Sequence, residues 1–138
     1  MSFIKRFPPS VPYAEIRREA RLQRLAAGIG LSPRVIRCCA TNIVMENLNA
    51  PCLAEVYGDD PADLPEWIVE EILDILYTLY TVLGIEYIDV TPYNFIERDG
   101  IVWIIDFGHA RKRSTDIDPY LDDLFATWEI TKWNPDFA

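Results

Sequence analysis

The sequence predicts an α+β fold, with a small three-stranded sheet and one helix followed by a helical part that carries an acidic loop and a β-hairpin. Three observations carry that reading. Short β-branched runs cluster near the N-terminus around a single helical pattern, and the segment Glu66 to Leu83 is apolar around most of a helix. Two further apolar runs flank Glu97-Arg-Asp-Gly100, where an Asp-Gly pair signals a tight hairpin turn.

Taken in order, Phe3-Ile-Lys-Arg-Phe7 reads as a brief strand ended by Pro8-Pro9. Tyr13 to Ala27 holds helix formers throughout, with Ile16, Ala20, Leu25 and Ala26 at helical spacing and Gly28 as a stop. Val35 to Ala40 and Asn42 to Met45 read as two strands, set off by turns at Ser32-Pro33 and Thr41-Asn42. Asn49 to Pro65 is loop-like, with a helical turn expected near Leu53. In Glu66 to Leu83 the polar positions 70, 71, 74, 78 and 81 share one narrow stripe, so the helix is buried on several sides until Gly84 ends it. Phe95-Ile96 and Ile101 to Ile105 form the hairpin. His109 to Thr115 shows no internal pattern, and His109 reads as a partly exposed loop residue. Pro119 to Thr131 is a final amphipathic helix, and Lys132 to Ala138 a tail.

The length of 138 residues fits one domain, and a hydrophobic half supports a packed core. Twenty-two acidic against thirteen basic residues give a net charge of −9, which argues against direct nucleic-acid binding because phosphate contacts need a basic surface. Cys38, Cys39 and Cys52 show neither a pairing nor a metal-knuckle spacing and read as reduced thiols in an intracellular, cytoplasmic setting. No apolar core follows Lys5-Arg6 as a secretory signal would require, and the longest apolar stretch is interrupted by Glu70, Glu71 and Asp74, so no membrane span is expected.

The chemistry concentrates between Tyr87 and Gly108. The hairpin holds Asn94 just before its first strand and Asp106 just after its second, so both side chains come to the same end. A carboxylate and an amide carbonyl are oxygen ligands suited to magnesium carrying phosphate groups. Asp89, five residues before Asn94 and separated from it by a loop with Thr91 and Pro92, is placed to accept the proton of an attacking hydroxyl.

Asp89-Val-Thr-Pro-Tyr-Asn94 resembles the catalytic loop of the protein kinase superfamily, and Asp106-Phe-Gly108, twelve residues later, resembles its metal-binding triplet. The resemblance implies a truncated protein-kinase-like fold in a single domain, with residues 1–48 as the remnant of a small lobe and 49–138 as that of a large lobe. It implies Asp89 as catalytic base, Asn94 and Asp106 as metal ligands, Lys5 on the nucleotide phosphates, and Glu19 as the partner of Lys5, with Glu15 the alternative one turn earlier. Glu46-Asn-Leu48 resembles the hinge, so Glu46 and Leu48 would meet an adenine edge. ATP and magnesium are the cofactors implied. Tyr87-Ile88 stands where the family has a His-Arg pair, so the hydrogen bonds of that His are expected to be missing, and Thr91 stands where a Lys is common.

No Gly-rich loop precedes Lys5 and no Ala-Pro-Glu follows Gly108, which suggests a minimal kinase in which the strand carrying Lys5 is an exposed sheet edge and apolar helix faces are left uncovered, where a protein partner docks. By resemblance, kinase fragments of such compactness suggest a large-DNA-virus or similarly reduced source, and with it an infected host cell or a virion. The readings that follow are an ATP- and magnesium-dependent transferase acting on protein Ser or Thr, or a catalytically inactive, pseudokinase-type structural or docking protein within a larger assembly or mimicking part of a full kinase. A kinase acting on a small molecule is a third.

Overall fold

The computed structural model describes residues Met1–Ala138 and begins with an antiparallel sheet in the order β1-β3-β2, formed by Ser2–Arg6 (β1), Val35–Cys38 (β2) and Asn42–Glu46 (β3). β1 pairs with β3 along its whole length, and Lys5 lies opposite Ile43. β2 stops at Cys38, two residues short of the strand expected to reach Ala40, and its register shifts between Val35 and Arg37.

Helix α1 (Tyr13–Ala27) has the predicted bounds. It buries Ile16 and Ala20 against Val35, Ile43 and Met45 of the sheet, while Leu22 and Ala26 join a second, larger core. One helix therefore belongs to both cores, and Glu19 lies between these two sets of anchors. The segment after α1 is tied to the second half of the chain as well: Ile104 N–H donates to the Leu31 carbonyl at 2.9 Å, and Ser32 Oγ donates to the Ile104 carbonyl at 2.6 Å.

The larger core is built on α3 (Glu66–Thr81), which follows the short helix α2 (Leu53–Tyr57) and a 3-10 turn at Pro61–Asp63. Ile68, Ile72, Leu73, Ile75, Leu76 and Leu79 of α3 are all buried. Burying one such side chain is worth about 1.5–3 kcal/mol. Their sum far exceeds what helix propensity supplies, so packing holds this helix. Beyond α3, Gly84 takes a φ of 67°, and this left-handed turn leads into β4 (Ile85–Glu86).

The hairpin consists of β5 (Phe95–Arg98) and β6 (Ile101–Ile104). Its turn residues Asp99 and Gly100 both have positive φ, 53° and 78°, as a two-residue turn matched to strand twist requires. A pairing not expected from the sequence follows: Arg111–Lys112 (β7) pairs with β4. The reason is a buried carboxylate. Glu86 is inaccessible to solvent, and Arg111 donates to its Oε2 from Nε at 3.0 Å and from Nη2 at 2.9 Å, while Ser114 donates to Oε1 from its backbone N–H at 3.2 Å. That partner set orders a stretch whose own residues carry no pattern.

Helix α4 (Pro119–Thr127) is capped by Asp118, whose side chain accepts from Tyr120 N–H at 2.9 Å. It ends four residues before the expected Thr131 because Trp128 adopts a left-handed φ of 55°. The residues that follow are not a loose tail: Trp133 and Asn134 are buried. No helix is long and apolar enough to cross a membrane.

Leu73 has no solvent-accessible surface in the larger core. Leu73→Ala should therefore lower unfolding free energy by about 2–5 kcal/mol, read as a fall in the urea midpoint at unchanged slope.

Candidate active site

The loop Tyr87 to Phe95 and the turn Ile105 to Gly108 lie side by side because the hairpin ladder continues past β5: Ile105 N–H donates to the Asn94 carbonyl at 2.9 Å. Asn94 and Asp106 are thus neighbours across the open end of the hairpin. The Asn94 amide donates from Nδ2 to the Asp89 carbonyl at 2.8 Å, which fixes the loop and leaves Oδ1 without a protein partner.

Asp106 sits in left-handed backbone, φ 63°, a conformation uncommon for non-glycine residues but more accessible to aspartate than to most, and here held by its surroundings. Those surroundings are visible. Its Oδ1 accepts from Gly108 N–H at 3.1 Å and from Lys5 Nζ at 3.0 Å, and its backbone carbonyl accepts from the Tyr87 hydroxyl at 2.8 Å. The single phenol proton is shared with the Ile105 carbonyl, 2.5 Å from the same oxygen. Tyr87 stands where the family has a His, and in place of that residue's hydrogen bonds its phenol reaches from the catalytic-type loop to the metal-type turn.

Lys5 Nζ also lies 2.6 Å from Glu19 Oε2, so one ammonium is shared by two carboxylates. Burial acts to lower the Lys5 pKa, but the hydrogen bond it donates to Glu19 and the charges of Asp106 and Glu19 outweigh it and hold the amine above its ordinary 10.5. For Glu19, burial pushes the carboxyl up by more than Lys5 pulls it down, with the Asp106 charge adding to the rise. The folded pKa of Lys5 exceeds the unfolded one, so its charge stabilises the fold below 10.5 and that contribution is lost as pH rises through the raised value. Glu15, the alternative partner, is exposed and makes no ion pair.

Gly108 is favoured by close approach. A Cβ there would lie 3.1 Å from Glu19 Oε1 and 3.2 Å from Asp106 Oδ1, so both carboxylates would have to shift by a few tenths of an ångström. Arg18, next to Glu19, reaches the same segment: its guanidinium donates to the Gly108 carbonyl at 3.2 Å and to the Ala110 carbonyl. Neither contact was legible in the sequence, where the arginines of α1 look like one solvated set.

Lys5, Glu19, Asn94, Asp106, Glu46 and Leu48 line one cavity of about 430 Å³, within the range of small-molecule sites. Within the hinge-like segment, Glu46 N–H already donates to the Arg34 carbonyl at 2.9 Å, whereas Leu48 N–H has no hydrogen-bond partner. Phe3, Met45, Ile96 and Ile105 give the cavity its apolar walls. Asp89 is the exception among the expected residues: its side chain lies outside this cavity, 3.3 Å from His109 Nδ1. His109 is exposed, as expected, but it is a neighbour of that carboxylate rather than a bystander.

The C-terminal residues hold the loop from behind. Asn134 N–H donates to the Val90 carbonyl at 3.0 Å and Asn134 Nδ2 to the Ile88 carbonyl at 2.8 Å, bracketing Asp89. No periodicity marks this clamp, and nothing in the sequence alone could have found it.

The RIO domain family model matches residues 9–118, most of the chain, covering the loop and the metal-type turn but neither Lys5 nor Asn134. No curated protein matches the chain.

Asn134→Ala removes the amide that holds the Ile88 carbonyl. It should cost about 1–3 kcal/mol and speed hydrogen exchange at residues 88 to 90, with exchange in α3 unchanged. Equal protection of the loop in both proteins would remove Asn134 from the account.

Proposed function

Because the chain belongs to the RIO domain family, an atypical kinase family of the protein kinase superfamily, we propose that it binds ATP with magnesium and transfers phosphate to a protein Ser or Thr. The observation that carries the reading is the convergence of Lys5, Glu19 and Asp106 on one cavity wall, with Asn94 beside them. RIO kinases in general bind ATP and magnesium. The donor set fits both: an ammonium for phosphate oxygens, a carboxylate and an unpartnered amide oxygen for a hard cation, and a free Leu48 N–H for an adenine acceptor.

When bound, the magnesium nucleotide supplies the phosphoryl group and neutralises charge on its oxygens. The side chains do the positioning. Lys5 would turn part of its charge from Asp106 toward phosphate while Glu19 keeps the amine in place, and Asp106 and Asn94 would hold the metal. Asp89 accepts the proton of the attacking hydroxyl. Its carboxylate stands outside the nucleotide cavity beside an exposed His109, so the acceptor arrives from the open side, which suits a residue presented by another protein.

The test is a thermal melt of the wild-type chain with magnesium and ATP beside Asp106→Ala and Asp89→Asn. Ligand at a hundred times its dissociation constant stabilises by about 2.7 kcal/mol, so wild type and Asp89→Asn should melt higher with both cofactors present and Asp106→Ala should not. In a phosphotransfer assay Asp89→Asn should fall by about 10²–10⁴-fold, the usual contribution of a positioned base. No stabilisation of wild type at millimolar ATP contradicts the proposal.

A further inference from the structure

The charge of this acidic protein is unevenly placed. Residues 1–45 hold eight of the basic residues and only two acids, Glu15 and Glu19, whereas residues 46–138 hold five basic residues and twenty acids. Within the basic part, Arg17, Arg21 and Arg24 follow one another at helical spacing and, with Arg18, line a groove of about 480 Å³ on α1 whose other walls include Tyr13 and Cys38. No carboxylate lines it. Arg17, Arg21 and Arg24 are exposed and form neither an ion pair nor a side-chain hydrogen bond, although like charges at this spacing repel. Glu19, the one acid within that stretch of helix, is taken by Lys5 on the opposite side.

We propose that this groove is a docking site for a phosphorylated segment of a partner protein. The helix carries four arginines and no lysine, and the planar guanidinium fork, unlike an ammonium, matches the oxygens of a phosphate in pairs. The Arg17 guanidinium is already ordered over the Tyr13 ring, with 5.6 Å to the ring centroid, which limits the freedom it loses on binding. A peptide suits the site better than a nucleic acid. The groove itself is short, and a long polyanion leaving it towards residues 46–138 would run beside a net charge of −15. The groove sits on the helix that carries Glu19, and Arg18 connects it to the backbone at Gly108 and Ala110. Docking there bears directly on the element that orients Lys5.

The test is fluorescence anisotropy with a labelled degenerate peptide library containing one fixed phosphoserine, beside the same library with serine, at physiological salt. Wild type should bind the phosphorylated library at least tenfold more tightly than the serine library. The exposed triple variant Arg17→Ala/Arg21→Ala/Arg24→Ala should lose at least tenfold while melting at the wild-type temperature, and the corresponding triple Lys variant should recover only part of the loss. Equal binding of both libraries, or of wild type and the Ala variant, overturns the proposal. So does a single-stranded oligonucleotide that binds as tightly with the same arginine dependence, or complete competition by millimolar inorganic phosphate alone.

Discussion

One ammonium held between two carboxylates is the contact on which the rest of this structure converges. Lys5 comes from the first strand, Glu19 from the first helix and Asp106 from the turn after the hairpin, so a single charge ties together three elements from both halves of the chain. Each carboxylate would repel the other without it, and Glu19 is nearly inaccessible to water. The fold's main features can be read as supports for this triad. The β1 and β3 register sets the height of Lys5, the two cores sharing α1 set the rotation of Glu19, and the hairpin ladder extended by Asn94 and Ile105 sets the position of Asp106.

Support is also what makes the strain at Asp106 tenable. Its left-handed backbone is fixed by Tyr87 through the carbonyl, by Gly108 through the carboxylate, and by Lys5. The absence of a side chain at Gly108 lets Glu19 and Asp106 approach the same spot, and Arg18 and Asn134 hold the flanking segments. This is preorganisation in a concrete sense: the polar groups of the cavity wall are aimed before any ligand arrives.

Much of this was legible because local chemistry determined it. The Asp-Gly turn, the apolar wrap of Glu66 to Leu83 and the helix from Tyr13 to Gly28 all follow from short-range rules, and each element appeared where those rules place it, to within the usual uncertainty of helix ends. What stayed hidden depends on partners distant in sequence. Arg111–Lys112 pairs as a strand where its arginine meets buried Glu86, the segment after Trp128 folds back where Asn134 finds the carbonyls of Ile88 and Val90, and Tyr87, standing where the family has a histidine, makes its contact nineteen residues away. A sequence pattern records periodicity, not which carbonyl is left waiting for a donor.

The most direct test of the central claim is the titration of Lys5 itself, followed by carbon NMR of the lysine ε position in a chain with only three lysines. Lys5 should titrate above the ordinary value of 10.5 in the wild-type chain. Asp106→Asn should lower it, because one of the two carboxylates that hold its charge is gone. A Lys5 resonance that titrates as the other two lysines do, and is indifferent to Asp106→Asn, would contradict the account.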